Sequence, residues 1–225
     1  MKPSVTLAHT TTSEGTTLSL RVHDGQFHMR IGSHGLMSTT ATSSEMQLAE
    51  LGCENMAPRE HRRVLIGGLG FGFTLRRVLE LVNADVKVEV AELLPEIVTW
   101  NRQFLQSVNG ALVDDARVEI RIEDVYAVLA RAEPGRYDAV LLDVDNGPQA
   151  LVDRGNSRLY EGGGLKVLSR ALRAGGRAVF WSLAADRSFV ARLERAGFRA
   201  SVVEAKAYPK AKRSAHTLFV ADRLA

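Results

Sequence analysis

A glycine-rich loop, Gly67–Gly72, follows a short apolar run near the middle of the chain. The run before it, Val64–Ile66, has the composition of a buried strand, and an amphipathic helical pattern comes after it. Glycines between a strand and a helix allow a tight turn and let the backbone approach a ligand closely. Tight turns need glycine without any ligand as well, so the residues that follow must decide between the two interpretations.

Carboxylates end the next three predicted strands. Glu92 lies about 20 residues past the loop, the spacing at which an acid hydrogen-bonds to ribose hydroxyls. Glu123 and Asp124 end the third strand, where an adenine amino group would find an acceptor, and Asp143 and Asp145 end the fourth. The carboxyl ends of parallel strands share one sheet edge, which is where open α/β sheets bind ligands. A nucleoside site is therefore predicted there. No Gly-Lys-Ser or Gly-Lys-Thr follows the loop, which argues against a nucleoside triphosphate.

Strands and helices alternate from residue 58 onward, which requires a mostly parallel sheet with helices on both faces. The predicted fold is α/β, a doubly wound Rossmann-like sheet of seven strands. The predicted strands are Val64–Ile66, Val86–Ala91, Val118–Ile122, Tyr137–Leu142, Arg177–Leu183, Ala200–Glu204 and Thr217–Ala221. The predicted helices are Phe73–Leu81, Pro95–Ser107, Val125–Arg131, Gly164–Arg173 and Ser188–Ala196.

Residues 1–57 form a small β-region with a linking helix, and residues 58–225 form the main domain. Alternating polar and apolar residues predict strands over Thr17–Val22 and Phe27–Ile31, joined by an Asp-Gly turn as a hairpin. A helix is expected over Ser44–Leu51 with Ser44 as its N-cap. A hairpin of this size does not fold alone, so it packs on the main domain or on a second subunit, and a homodimer is expected.

Composition excludes several classes of protein. The 225 residues contain 45% hydrophobic and 24% charged residues, which is typical of a globular chain rather than a disordered or fibrous one. A net charge of +3 is no nucleic-acid footprint. The one cysteine and scattered histidines show no metal-ligand spacing, and no signal peptide or apolar run of membrane-spanning length is present. We expect a soluble cytoplasmic protein with a small-molecule acceptor and no metal, nucleic acid or membrane partner.

An ordered set of motifs resembles one known family. The loop GGLGFG precedes Arg76-Arg77-Val78-Leu79, and the second strand ends in Glu92-Leu93-Leu94-Pro95. Later come Asp124, the segment from Tyr137 to Pro148, and Tyr208-Pro209. Over about residues 17–221 this order is similar to the polyamine aminopropyltransferases, the spermidine synthase family, which have the class I AdoMet-dependent methyltransferase fold after a small β-region.

The resemblance implies S-adenosylmethionine or its decarboxylated form as the bound sulfonium, and transfer of an aminopropyl group to an amine with release of methylthioadenosine. Asp143, Asp145 and Tyr208 would be catalytic, with an aspartate orienting and deprotonating the amine. Ser43, Ser44, Asn146 and Tyr208 would contact the acceptor. The nucleoside would be bound by residues at the strand ends, namely Gly67, Gly68, Leu69, Gly70, Gly72, Glu92, Leu93, Glu123, Asp124, Val125 and Asp143.

Departures from the family pattern keep other functions open. Leu69 replaces an acid of the loop, and Ser43-Ser44 replaces a Tyr-His pair. The alternatives are methyl transfer from S-adenosylmethionine with release of adenosylhomocysteine, transfer of its aminocarboxypropyl chain to an anionic acceptor, and an inactive nucleoside-binding or dimerising module. A run of cations that would repel a polyamine follows the last motif, at Lys206, Lys210, Lys212 and Arg213. From its place near the end of the fifth strand, Trp181 is a residue that could lie near the pocket, with the core as the favoured position, and His216 is expected on the surface.

Overall fold

The computed structural model describes residues 3–54, 56, 60–144 and 154–224. Its first part is a sheet of four antiparallel strands that are neighbours in the chain, followed by helix α1 over Ser43–Cys53. The strands are β1 Val5–Thr11, β2 Thr17–His23, β3 Gln26–Ile31 and β4 His34–Ser38.

The second part alternates strands and helices. Its strands are β5 Arg63–Gly67, β6 Lys87–Glu92, β7 Val118–Ile122, β8 Tyr137–Leu142, β9 Leu172–Ser182, β10 Phe198–Ala205 and β11 His216–Arg223. Its helices are α2 Phe73–Leu81, α3 Pro95–Gln103, α4 Gln106–Asn109, α5 Val125–Arg131, α6 Gly162–Ala171 and α7 Arg187–Arg195. Two 3₁₀ turns, Leu112–Asp114 and Arg154–Tyr160, lie between them.

The seven strands form one sheet in the order β10-β11-β9-β8-β5-β6-β7. Only β11 runs against its neighbours, pairing antiparallel with β9 and with β10. The predicted mostly parallel, doubly wound α/β sheet is therefore confirmed. From β5 the chain builds outward through β6 and β7, then crosses to β8 on the other side of β5. Ligands bind in the crevice at such a reversal of strand order.

The central strand β8 is apolar because it is covered on both faces, and all six of its residues are buried. On one face, β5 side chains Val64 and Ile66 share a core with α1 and with the N-terminal sheet, which contributes Leu18, Leu20 and Met29. The small sheet thus packs on the main sheet of its own chain. The opposite face is covered by α5, α6 and α7.

The structure corrects several predicted boundaries. The N-terminal region has four strands instead of a two-stranded hairpin, and α1 has Thr42 as its N-cap, so Ser44 lies inside the helix. The predicted helix Pro95–Ser107 breaks after Gln103, because the N–H groups of Phe104 and Leu105 both donate to the Trp100 carbonyl. Strand β9 starts at Leu172, within the predicted helix Gly164–Arg173, because it pairs with Tyr137 of β8. Among the described residues, no helix is long and apolar enough to cross a membrane.

Candidate functional site

A cleft, called here the main cleft, opens at the carboxyl ends of β5, β6, β7 and β8, under the N-terminal sheet. About 960 Å³ of space lies between its walls, including the part open to solvent. Its walls combine apolar side chains of both sheets with carboxylates at the strand ends. They are formed by Leu18, Met29, Leu36, Met37, Glu45, Gly68, Gly70, Ala91, Glu92, Leu93, Leu94, Ile97, Glu123, Asp124, Val125, Asp143, Val144, Asn156 and Trp181.

The glycine-rich loop forms the floor of the main cleft, and two of its glycines are required there. Gly68 has φ +86°, and a Cβ on it would overlap the carbonyl oxygen of Asp143. Gly70 has φ +50°, and its Cβ would come within 2.8 Å of the Met37 Cε atom. A side chain at either position would close the space between the loop and its neighbours, so glycine keeps this part of the cleft open.

Glu92 holds the loop in place. Its carboxylate accepts hydrogen bonds of 2.9 Å from the N–H groups of Leu69 and Leu94, one at each oxygen. The residue is 8% exposed and lines the cleft. Burial raises the pKa of this carboxyl, and the backbone donors oppose that rise. Its predicted role at the ribose hydroxyls stays a prediction that this geometry permits.

Four amides of the loop are already used within the protein. The Gly68 N–H donates to the Ala91 carbonyl, and the Gly72 N–H donates to the Leu69 carbonyl, each at 2.8 Å. The Leu69 N–H is bound to Glu92, which also accepts from the Gly70 backbone. These amides therefore have protein acceptors and are not directed at a ligand carboxylate.

The end of β7 provides three further cleft residues, and two of them have structural partners. The Asp124 side chain caps α5 by accepting from the Tyr126 N–H at 2.8 Å, and it pairs with Arg158. Glu123 forms an ion pair with Arg131. Val125 is buried behind them. Glu123, Asp124 and Val125 nevertheless line the main cleft, as predicted for the side that would hold adenine.

Asp143 and Glu45 are two further carboxylates of the cleft whose pKa values are raised, as that of Glu92 is. The Thr74 hydroxyl donates to Asp143 Oδ2 at 3.0 Å, and the Ser44 hydroxyl donates to Glu45 Oε2 at 2.6 Å. Burial, together with the negative charge of Glu45, raises the pKa of Asp143 to about 7. Burial also raises the pKa of Glu45. A carboxyl group that titrates near neutral pH can accept a proton from a bound substrate.

Sequence reasoning missed Glu45 and Thr74. A signal for Glu45 was present, because the family motif Tyr-His-Glu-Met keeps its glutamate here although its first two residues are serines. Thr74 gave no signal, since a threonine in the first turn of an apolar helix is unremarkable. It becomes informative only when the structure places its hydroxyl beside Asp143.

The charges of the main cleft have one sign. Five carboxylates line it, and among its lining residues in the described part of the chain there is no lysine, arginine or histidine. Glu123 and Asp124 are paired with Arg131 and Arg158, whereas the other three carboxylates form no ion pair among the described residues. The part of the cleft that these three line favours a cation over an anion. The five are Glu45, Glu92, Glu123, Asp124 and Asp143.

A second pocket adjoins the main cleft. The two share Met29, Leu36, Met37, Glu45 and Trp181 as common walls, and Ser44 and Ala41 also lie in the second pocket. The rest of its lining is Pro3, Ser4, Arg21, His23, His28, Arg30, Gly35, Ser38, Leu183 and His216.

Two aromatic residues of the second pocket correct the sequence interpretation. The sequence favours the core for Trp181 and the surface for His216. Both are half-buried, and their rings are in contact at a centroid distance of 4.6 Å, tilted by 44°. Burial lowers the pKa of His216.

The remaining predicted residues lie outside both pockets. Gly67, Leu69 and Gly72 support the loop from behind, with Leu69 buried and Gly72 as the N-cap of α2. The Ser43 N–H donates to the Ala207 carbonyl at 3.2 Å, and Tyr208 is 53% exposed. The four cations after Ala205 are exposed on the β10–β11 loop. Asp145 and Asn146 lie outside the described residues. Roles for these residues stay predictions.

Comparison with known proteins identifies relatives of this chain. Residues 44–186 match the family model described as the spermine/spermidine synthase domain. A polyamine aminopropyltransferase of Bacillus mycoides is 30% identical over 113 residues, 50% of this chain and 38% of that protein. A putrescine N-methyltransferase of Nicotiana tabacum is 30% identical over 115 residues, 51% of this chain and 29% of that protein. The matched stretch thus spans less than two fifths of either relative.

Solved structures show the same fold over nearly the whole chain. The spermidine synthase of Thermotoga maritima has a TM-score of 0.74 and 16% identity, covering 97% of this chain and 72% of that one. A spermidine synthase in complex with the transition-state analogue AdoDATO has a TM-score of 0.73 with the same identity and coverage. At this level of identity the comparison establishes the methyltransferase-like fold and the small N-terminal sheet.

Proposed function

Because the chain belongs to the spermine/spermidine synthase family, we propose that it transfers an aminopropyl group from decarboxylated S-adenosylmethionine to an amine acceptor. The main cleft is the proposed site of the sulfonium nucleoside, and methylthioadenosine is the proposed by-product. The curated polyamine aminopropyltransferases among the relatives support this activity, although each is matched over less than two fifths of its length.

The one-signed charge of the main cleft is the observation that carries the proposal. Decarboxylated S-adenosylmethionine has a sulfonium and an ammonium group and no carboxylate, so it suits a cleft lined by five carboxylates without a cation. S-Adenosylmethionine itself would place a carboxylate among them. The loop amides that might bind that carboxylate are engaged with Ala91, Leu69 and Glu92. These contacts favour aminopropyl transfer over methyl transfer.

The proposed binding mode follows the positions of the cleft residues. Glu92 accepts from the ribose hydroxyls, while the adenine lies between Leu93 and Val125 with Glu123 and Asp124 at its polar edge. Gly67, Leu69 and Gly72 keep the loop in the conformation that brings Gly68 and Gly70 to the nucleoside.

The proposed reaction is a displacement at the methylene carbon beside the sulfonium sulfur. The amine nitrogen forms the new C–N bond, the C–S bond breaks, and its electron pair stays on sulfur in methylthioadenosine. Asp143, with Glu45 beside it, orients the amine and accepts the proton that nitrogen loses. We retain Asp145 as a second candidate base and Asn146 as an acceptor contact on the family resemblance. The exposure of Tyr208 favours a contribution to acceptor binding rather than to proton transfer.

Isothermal titration with the two sulfonium compounds tests the nucleoside site. We expect decarboxylated S-adenosylmethionine to bind at least tenfold more tightly than S-adenosylmethionine, because only the latter brings an anion into the cleft. Methylthioadenosine, which lacks the carboxylate and the ammonium group, is the control for the nucleoside contacts alone. Tighter binding of S-adenosylmethionine would favour the methyltransferase alternative, and failure of all three to bind would refute the site.

The division near residue 57, a homodimer and a cytoplasmic location remain part of the proposal. Light scattering of the purified protein tests the homodimer, which predicts twice the mass of the 24.6 kDa chain.

A further inference from the structure

The second pocket differs in charge from the main cleft that it adjoins. Arg21 and Arg30 line it together with three histidines, and Glu45 is its one carboxylate among the described lining residues. Glu45 lies in the wall that both cavities share. The pocket is therefore acidic only where it meets the main cleft, and basic elsewhere.

Arg21 is a half-buried cation without a counter-ion. It lies on β2 opposite His28 of β3 and forms no ion pair with any described residue. Its Nε atom is buried and has no hydrogen-bond partner. A guanidinium that lines a pocket without an ion-pair partner can bind an anion, and a carboxylate or a phosphate fits its paired donors.

Other nitrogen atoms around this pocket also lack partners. Nδ1 of His23, Nε1 of Trp181 and Nδ1 of His216 are buried without hydrogen bonds in the described part of the chain. The partners that are present involve other atoms: His23 Nε2 lies 3.6 Å from Asp24, and Arg30 donates to the Ser33 carbonyl. Unsatisfied buried polar atoms are rare, and these belong to residues that line the pocket, where a shift of the side chain would bring them to a polar ligand.

We propose that the acceptor is an amine that also carries an anionic group, a carboxylate or a phosphate. This inference rests on the proposed function and specifies its acceptor. The amine end lies at the shared wall, near Glu45 and Asp143, where its proton is removed. The anionic end lies farther into the second pocket, where Arg21 binds it, with Arg30 and His216 as further donors.

A diamine fits this charge pattern poorly. Its reacting amine would lie near Glu45, but its distal ammonium would face Arg21 and Arg30 without a carboxylate between them among the described residues. Ser43 and Ser44, which replace the Tyr-His pair of the family, lie at the start of helix α1, next to Glu45. Both features separate this acceptor pocket from one built for a polycation.

The test compares acceptors that differ at the distal end. Purified protein is incubated with decarboxylated S-adenosylmethionine and putrescine, γ-aminobutyrate, phosphoethanolamine or butylamine, and methylthioadenosine is measured. We expect kcat/KM for γ-aminobutyrate or phosphoethanolamine to exceed that for putrescine at least tenfold, with butylamine between them. The carboxylate and phosphate arms identify which anion is preferred.

Two variants connect the preference to Arg21. Arg21→Gln should lower kcat/KM for the anionic acceptor tenfold to a hundredfold while leaving that for butylamine and the affinity for methylthioadenosine unchanged. Arg21→Lys should restore part of the loss, since it restores the charge without the planar fork. Arg199→Gln is the matched control, because Arg199 is exposed and outside both pockets.

The outcomes separate a failure of the proposed anionic acceptor from a failure of the proposed aminopropyl transfer. Faster reaction with putrescine than with both anionic amines overturns the inference and leaves aminopropyl transfer intact. If no acceptor yields methylthioadenosine, the proposed transfer fails, and calorimetry on protein saturated with methylthioadenosine still decides the inference. Binding of an anionic amine that Arg21→Gln weakens at least tenfold supports it, and the absence of such binding overturns it.

Discussion

The Thr74 hydroxyl donates a hydrogen bond of 3.0 Å to the Asp143 carboxylate, and this contact opposes the two effects that raise the pKa of Asp143 to about 7. Thr74→Val removes the donor with little change in side-chain shape. We expect the pKa of Asp143 to rise further, so the acidic limb of the pH–rate profile should move to higher pH. The profile of kcat/KM between pH 5 and pH 9 measures the shift.

Thr74→Ser is the matched control for that variant, because it keeps the hydroxyl and should keep the limb at its original position. A limb that does not move in Thr74→Val would show that Asp143 is not the titrating base.

Glu45→Gln should have the opposite effect. The negative charge of Glu45 helps to raise the pKa of Asp143, so its removal should move the acidic limb to lower pH. Glu50→Gln, a substitution at an exposed position of the same helix, is the control and should leave the profile unchanged. Complete loss of turnover at every pH in Glu45→Gln, with nucleoside affinity retained, would instead make Glu45 the proton acceptor.

Asp143→Asn should change stability in a pH-dependent way. The folded protein holds the pKa of Asp143 above the ordinary value of 3.8, so folding favours the protonated form. That contribution is complete below pH 3.8 and is lost as the pH rises through about 7. The variant does not lose this contribution. Between pH 5 and pH 8 its free energy of unfolding should rise by about 1–3 kcal/mol relative to that of the wild type.

Denaturant unfolding of both proteins at the two pH values measures that gain. Asp114→Asn, at an exposed position, is the control and should show a constant difference from the wild type. A difference that is likewise constant for Asp143→Asn would mean that Asp143 ionises normally in the cleft.

Glu92→Gln should lower the free energy of unfolding, because Glu92 holds the glycine-rich loop, and should also weaken nucleoside binding. The NH₂ group of the glutamine would face the N–H of Leu69 or Leu94, and that N–H would lose its acceptor. An unsatisfied buried donor costs about 1–3 kcal/mol. We expect the Kd of methylthioadenosine to rise at least tenfold in calorimetry. Glu133→Gln, at an exposed position, should leave the free energy of unfolding and the Kd of methylthioadenosine unchanged. Reduced stability with unaltered affinity would restrict Glu92 to its structural role.

The positions of the strand-end acids follow from the sequence because they depend on local patterns. A strand that ends in a carboxylate can be recognised from its own residues, and the parallel arrangement then brings those ends to one edge. Glu92, Asp124 and Asp143 therefore line the observed cleft as predicted. Strand β8 and helix α2 have their predicted bounds for the same reason, since their apolar periodicity is unambiguous.

The second pocket could not be predicted in this way, because long-range packing forms it. Trp181 and His216 come from different strands and become neighbours only through the antiparallel β9–β11 pairing. Arg21 lies on a strand whose alternation was recognised, but whether its side chain has a counter-ion depends on which elements pack around it. The basic run after Ala205 is compatible, from the sequence alone, with a surface loop or with a role in the site, and the structure places it on an exposed loop outside both pockets.

Product analysis tests the central claim most directly. The purified protein is incubated with an amine acceptor and either decarboxylated S-adenosylmethionine or S-adenosylmethionine, and the nucleoside product is identified by chromatography and mass spectrometry. The acidic cleft predicts methylthioadenosine from the decarboxylated compound, an acceptor enlarged by one aminopropyl group, and loss of both products in Asp143→Asn. Adenosylhomocysteine formed from S-adenosylmethionine, together with an acceptor enlarged by one methyl group, would contradict the account.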